Sequence, residues 1–398
     1  MPAVNPQILV WARESAGFDV ATASKKLALT DSKTSSAIEK LHTYEVGQRA
    51  PSRPLLVRMA KQYRRPLLTF YLSEPPRAGN RGEDFRTLTQ AVEPSQNALV
   101  DALVRNVRAR QEIVKDALVS AQDREALQFV GSYEFDRGIE GLVESIQQSI
   151  GLDREQYRQF RTQAEAFKYL RTCVEETGVF TLLLGNLGSY HTNLSTEVFR
   201  GFALSDNIAP FVVINDQDAK AAWSVTLLHE VAHLWLGETG ISGGTYERSV
   251  EKFCNEVASE ILVPEVELRA RFDYDALTDR NSSIDAIDFL ASSWKVSSRL
   301  LAFRLLRQSA INRQQFEQLG KFFFERWEAE RTKQKAKDRS SDGGPSYYKL
   351  KRHRVGTALL NASERLLRSG ELSTTRAATV LGVRALKVEK MFNEPRLA

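Results

Sequence analysis

Residues 226–236 read Thr226-Leu227-Leu228-His229-Glu230-Val231-Ala232-His233-Leu234-Trp235-Leu236, the end of an apolar, helix-forming run that begins at Ala221. On a helix, residues four apart differ by about 40° in azimuth, so the imidazoles of His229 and His233 project together. Two nitrogen donors one turn apart are what a single metal ion takes from one helix. Glu230 is turned about 100° away from His229. It flanks such an ion rather than binding it, and can accept a proton from water there. The flanking residues are apolar, which predicts a buried helix with a site that is dry on one side. The alternative is a pair of core histidines around a glutamate with no metal, an arrangement with a heavy desolvation cost.

A catalytic zinc takes three protein ligands and keeps one position open. The acids downstream are Glu238, Glu247, Glu251, Glu256 and Glu260. Residues 249–263 predict a second helix, stopped by Pro264, with Phe253, Val257 and Ile261 as its buried stripe. Glu251 and Asn255 share a face of that helix. Glu256 lies about 140° from Glu251, so the two cannot both face one ion. Spacing favours Glu251, with a solvated carboxylate as the alternative for either. Asn255, together with Tyr190 and His191 in a polar loop, are the candidate second-layer or transition-state groups.

Upstream of the histidines, 178–185, 201–205 and 209–215 read as strands, the last two joined by the turn-like Asp206-Asn207. The strand Phe211–Asn215 immediately precedes the histidine helix. An exposed edge there would accept a substrate peptide as an added strand; an interior position is the alternative. Residues 95–170 read as helical with weak breaks at Gly131 and Gly151. The fold class is therefore α+β, mostly helical, with a small sheet beside the His-Glu-x-x-His helix and helical modules at both ends.

The domain reading has five parts. Residues 1–75 form short helices, and 76–94, rich in Pro, Gly and Asn at its start, is a linker. Residues 95–331 hold the strands and the histidines, and 332–348 is a flexible linker. Residues 349–398 form a basic helical module in which 372–391 has the helix, Gly-containing turn and helix of a helix-turn-helix.

The net charge of the 398 residues is +5. Residues 1–80 carry 12 Lys and Arg against 6 Asp and Glu, and residues 349–398 carry 11 against 4, which leaves the middle at −8. Basic ends point to nucleic acid or an acidic partner, or to solvated charge alone. Lys33 and Lys40 in the first module, and Arg384 and Lys387 in the last, are the candidate phosphate contacts. With two cysteines, Cys173 and Cys254, neither a disulfide framework nor a thiolate zinc cluster is available, and a reducing cytoplasm is expected. Neither a signal peptide nor a membrane-length apolar run is read.

The sequence resembles the ImmA/IrrE family of metallo-endopeptidases. The likeness runs through Gly201-Phe202, Pro210–Asn215, Thr226–Leu234, Glu251–Ala258 and Ile261–Pro264. It implies a zincin-like core over roughly residues 160–310, a zinc ion held by His229, His233 and Glu251, and Glu230 as the catalytic base. The N-terminal part resembles the Xre-type helix-turn-helix often fused to such peptidases, on Trp11–Gly17, Tyr44–Gly47, Pro51-Ser52 and Tyr63–Leu67. Glu83-Asp84-Phe85-Arg86 resembles the connector of these fusions, and Thr30–Ser36 is a long Ser/Thr/Lys departure from the pattern. The resemblance further implies cleavage of a specific protein, such as a co-encoded helix-turn-helix repressor, in a mobile-element, stress-response or defence circuit.

Two further readings stand beside the zinc endopeptidase. One is a DNA-binding transcriptional regulator whose peptidase-like domain senses a metal or ligand without cutting. The other is a scaffold with one stoichiometric partner and no metal. The expected partners are a protein substrate and DNA, with no membrane, and the sequence sets no oligomeric state.

Overall fold

A computed structural model describes residues 3–76, 94–237, 245–340 and 346–393. It divides into two compact units, one comprising 1–106 with 186–199 and the other 107–185 with 200–398. The division lies inside a continuous helix rather than in the expected linker 76–94, most of which is outside the described residues, as are Glu83-Asp84-Phe85-Arg86.

The first unit starts with four helices, α1 (Pro6–Ser15), α2 (Val20–Lys26), α3 (Ala37–Glu45) and α4 (Arg53–Gln62). Ile8, Leu9, Leu41, Met59, Tyr63 and Phe70 close its core, and Arg13 meets Glu45 in a buried bidentate pair at 2.7 and 3.1 Å. Asn5, Asp19 and Ser36 cap the first three helices through their side chains. Residues 27–36 join α2 to α3, far longer than the three- or four-residue turn of a helix-turn-helix. Helix α5 (Pro94–Ser120) contributes to both units.

The second unit continues with α6 (Ile139–Ile150), α7 (Arg154–Gln159) and α8 (Gln163–Glu176), then β1 (Phe180–Leu183), β2 (Gly201–Leu204) and β3 (Phe211–Ile214). The helical expectation for 95–170 fails between Ser120 and Ile139, where only residues 135–137 make a short 3-10 turn. Gly131 and Gly138 there adopt positive φ, which ends regular helix. The sheet order is β1-β3-β2, with β1 parallel and β2 antiparallel to β3. All four residues of β1 and of β3 are buried, β3 being apolar throughout and β1 apolar except for Thr181, whose hydroxyl is satisfied by Glu175. β3 is thus the interior strand, which removes it as an edge for a substrate peptide.

Next come α9 (Lys220–Trp235), α10 (Thr245–Leu262), α11 (Glu265–Arg271), α12 (Arg280–Trp294), α13 (Ser298–Arg307) and α14 (Arg313–Ser340). The Lys-rich stretch expected to be a flexible linker is helical as far as Ser340, and 341–345 lie outside the described residues. The chain ends in α15 (Tyr347–Val355), α16 (Thr357–Arg368), α17 (Thr374–Leu381) and α18 (Val388–Asn393).

These last helices belong to the same unit as the sheet. Buried Glu175 of α8 accepts hydrogen bonds from the Thr357 and Ala358 amides at 3.0 and 2.9 Å, satisfying the first turn of α16. The same carboxylate takes Arg171 Nε at 2.9 Å and Thr181 Oγ1 at 2.6 Å. Arg171 in turn donates to the carbonyls of Thr181 in β1 and His353 in α15. One core cluster reaches from α6 to α14, with Leu227, Leu228 and Val231 of α9 beside Val257 and Ile261 of α10. No helix among the described residues is long and apolar enough to cross a membrane.

Candidate metal centre

Helix α9 is apolar nearly all round, so it is buried from Trp223 to Trp235 with few interruptions. Its polar exceptions carry the chemistry: Glu230 is 5% and His233 2% exposed. α10 packs alongside through Phe253, Val257 and Ile261, the stripe expected of it, and that contact turns Glu251 toward the two imidazoles. Glu251 Oε2 lies 3.2 Å from His229 Nε2, Glu251 Oε1 lies 3.1 Å from His233 Nε2, and the two Nε2 atoms are 3.1 Å apart.

Burial opposes ionisation of Glu251, but the two imidazoles beside it outweigh that and hold the carboxyl well below its ordinary range. Burial, only partly offset by Glu251, lowers the pKa of His229, which keeps the ring neutral and its lone pair available. Around a tetrahedral zinc with bonds of about 2.0–2.2 Å, ligand atoms stand roughly 3.3 Å apart. Two neutral nitrogens and one carboxylate at this spacing fit such an ion.

The neighbouring acids have other partners. Glu256 meets Arg307 at 2.7 Å and Glu260 pairs with Arg304, so both face away from the histidines. Glu238 and the side chain of Glu247 lie outside the described residues. Asn255 donates Nδ2 to the Glu251 carbonyl at 2.7 Å and hydrogen-bonds His229, so it braces a ligand from each helix.

Glu230 faces the sheet. A Cβ on Gly201, at the start of β2, would stand 2.7 Å from Glu230 Oε1, 2.7 Å from Thr226 Cγ2 and 3.0 Å from the Val213 carbonyl. Only glycine lets β2 approach the carboxylate this closely. Spacing alone does not reveal this role for Gly201.

Other expected residues lie elsewhere. Tyr190 and His191 form a 3-10 turn in the first unit; His191 is exposed and the Tyr190 side chain is outside the described residues. Lys33 is exposed, and Lys40 donates to the Thr30 carbonyl at 2.6 Å. Arg384 is exposed, while Lys387 lies 4.4 Å over the Tyr347 ring. Arg376 and Arg354 are paired with Asp116 and Asp216. Cys173 and Cys254 are both buried.

Residues 186–306 match the family model Peptidase M78, the IrrE N-terminal-like domain, a segment that contains β2, β3 and the helices carrying all three donors. That match supports a peptidase domain, and the same segment carries His229, His233 and Glu251 as a group that could hold a metal ion. No curated protein and no solved structure matches the chain.

Proposed function

We propose that the protein is a zinc-dependent endopeptidase that cleaves a specific protein substrate. The observation that carries this reading is the convergence of His229, His233 and Glu251, with ligand atoms all within 4.8 Å of one another and Glu230 beside them. Zinc there supplies a Lewis acid that acidifies water and polarises a scissile carbonyl.

The chain's own residues do the rest. His229, His233 and Glu251 would hold the ion. Glu230 takes the proton of the attacking water and hands it to the departing amine, an exchange suited to a carboxylate on the dry side of the site. Asn255 keeps His229 and the Glu251 backbone in register. β2, which ends the sheet order among the described residues and begins against Glu230, would be the strand to receive an extended peptide in place of the interior β3. Cleavage of a helix-turn-helix repressor encoded beside this gene, in a reducing cytoplasm, is the biological setting we infer from the ImmA/IrrE likeness.

The Glu230→Gln protein is expected to fold and keep one equivalent of zinc while cleavage falls by about 10²–10⁴-fold. Cleavage at the wild-type rate by that protein would remove Glu230 from the base role and favour a regulator that senses metal without cutting.

A further inference from the structure

Helix α5 presents Leu103, Val107, Val114 and Leu118 as a buried stripe, and Arg110 occupies a position within it. Its guanidinium is buried, and Nε and Nη1 have no hydrogen-bond partner. Lys351 of α15 brings a second cation to the same place. Arg110 Nη2 and Lys351 Nζ lie 2.9 and 3.0 Å from the one point that a Cβ on Gly382 would occupy. Gly382 ends α17 with φ +64°, and its lack of a side chain lets the turn pack directly against both cations.

Two like charges brought together out of water repel each other and lose hydration, so proteins pair such groups with an anion. Among the described residues no acid acts on either group. Nothing offsets the burial of Arg110, and the charges acting on Lys351 are Arg110 and Arg354, both cationic. Arg354 is already committed to Asp216 at 2.7 Å. Lys351 is held down to about 8, chiefly by burial, so it is still largely protonated at neutral pH. Arginine keeps its proton under the same conditions.

We propose that Arg110, Lys351 and the turn at Gly382 form a binding site for a small phosphate-bearing anion. A guanidinium fork with two free donors and an ammonium beside it is a set that matches phosphate oxygens. Arg110 is 6% exposed, so a group that meets it must be small, which excludes the backbone of a duplex. All three residues lie in the unit that carries the histidines and Glu230.

The test uses the full chain, with thermal unfolding followed in inorganic phosphate, in a 5′-mononucleotide and in a short DNA duplex, each against chloride at matched ionic strength. Equilibrium dialysis of labelled inorganic phosphate provides the stoichiometry. Phosphate at ten times its dissociation constant is expected to raise the midpoint by about 2 °C, with one equivalent bound. Lys351→Met and Arg110→Met are expected to lose both effects, and if Arg110→Met does not fold, Lys351→Met alone decides. Tighter binding of the mononucleotide assigns the site to phosphate monoesters, and equal binding assigns it to free phosphate.

Three results would overturn the proposal. One is the absence of any phosphate-specific shift. Another is an undiminished shift in Lys351→Met. The third is duplex binding that depends on Lys351 with no response to phosphate or mononucleotide.

Discussion

A carboxylate one residue beyond a metal-ligating histidine acts as a base only if its oxygens stay free of the ion and close to the reacting water. Glu230, the base in the proposed mechanism, projects toward β2, and Gly201 lets the strand approach. Gly201→Ala is therefore expected to displace Glu230 and lower kcat by tenfold or more with zinc content unchanged, read by paired activity and metal assays. Glu251 and Glu256 make a second contrast on α10. Glu251→Ala removes a ligand and is expected to abolish stoichiometric zinc in elemental analysis. Glu256→Ala breaks a pair with the half-exposed Arg307, worth about 0–1 kcal/mol, and is expected to retain the metal.

At the scale of elements, the connection that matters most is the one between α8, β1 and the C-terminal helices. Glu175 caps α16, holds Arg171 and accepts from Thr181, so one buried carboxylate ties a helix terminus to a sheet strand. Removing it leaves Arg171 buried with its charge unpaired. Glu175→Ala is expected to cost about 3–5 kcal/mol in urea unfolding and to open residues 346–393 to limited proteolysis. A C-terminal module independent of the peptidase unit predicts instead a change confined to its own helices.

Across the whole molecule, acid sensitivity follows from several carboxylates held below their ordinary pKa. Burial of Asp206, Glu267 and Asp288 raises their pKa, but hydrogen bonds from Lys115, Arg158 and Arg326 more than reverse it. With the folded values depressed, the unfolded chain takes up protons first as the pH falls. The stability these groups contribute is complete above the unfolded values of 3.8 and 4.5 and is lost below them. The urea midpoint is expected to drop steeply below about pH 4.5, and a midpoint flat through that range would assign these pairs no net role.

Local periodicity was enough to place the two histidines on one face of α9, to turn Glu230 aside and to put Glu251 and Asn255 on a shared face of α10, because helix geometry converts spacing into direction. The stretches containing 180–183 and 211–214 likewise read as strands. Spacing does not report which elements meet. Strand order made β3 interior, and the arginines of α13 drew Glu256 and Glu260 away from the histidines. The buried network around Glu175 joined the last helices to the sheet. An arginine in the apolar stripe of α5 was visible along the chain, but its lysine neighbour lies 241 positions away. Contacts of that separation depend on packing that fills the core and pairs its buried charges, and such packing is a property of the folded chain as a whole.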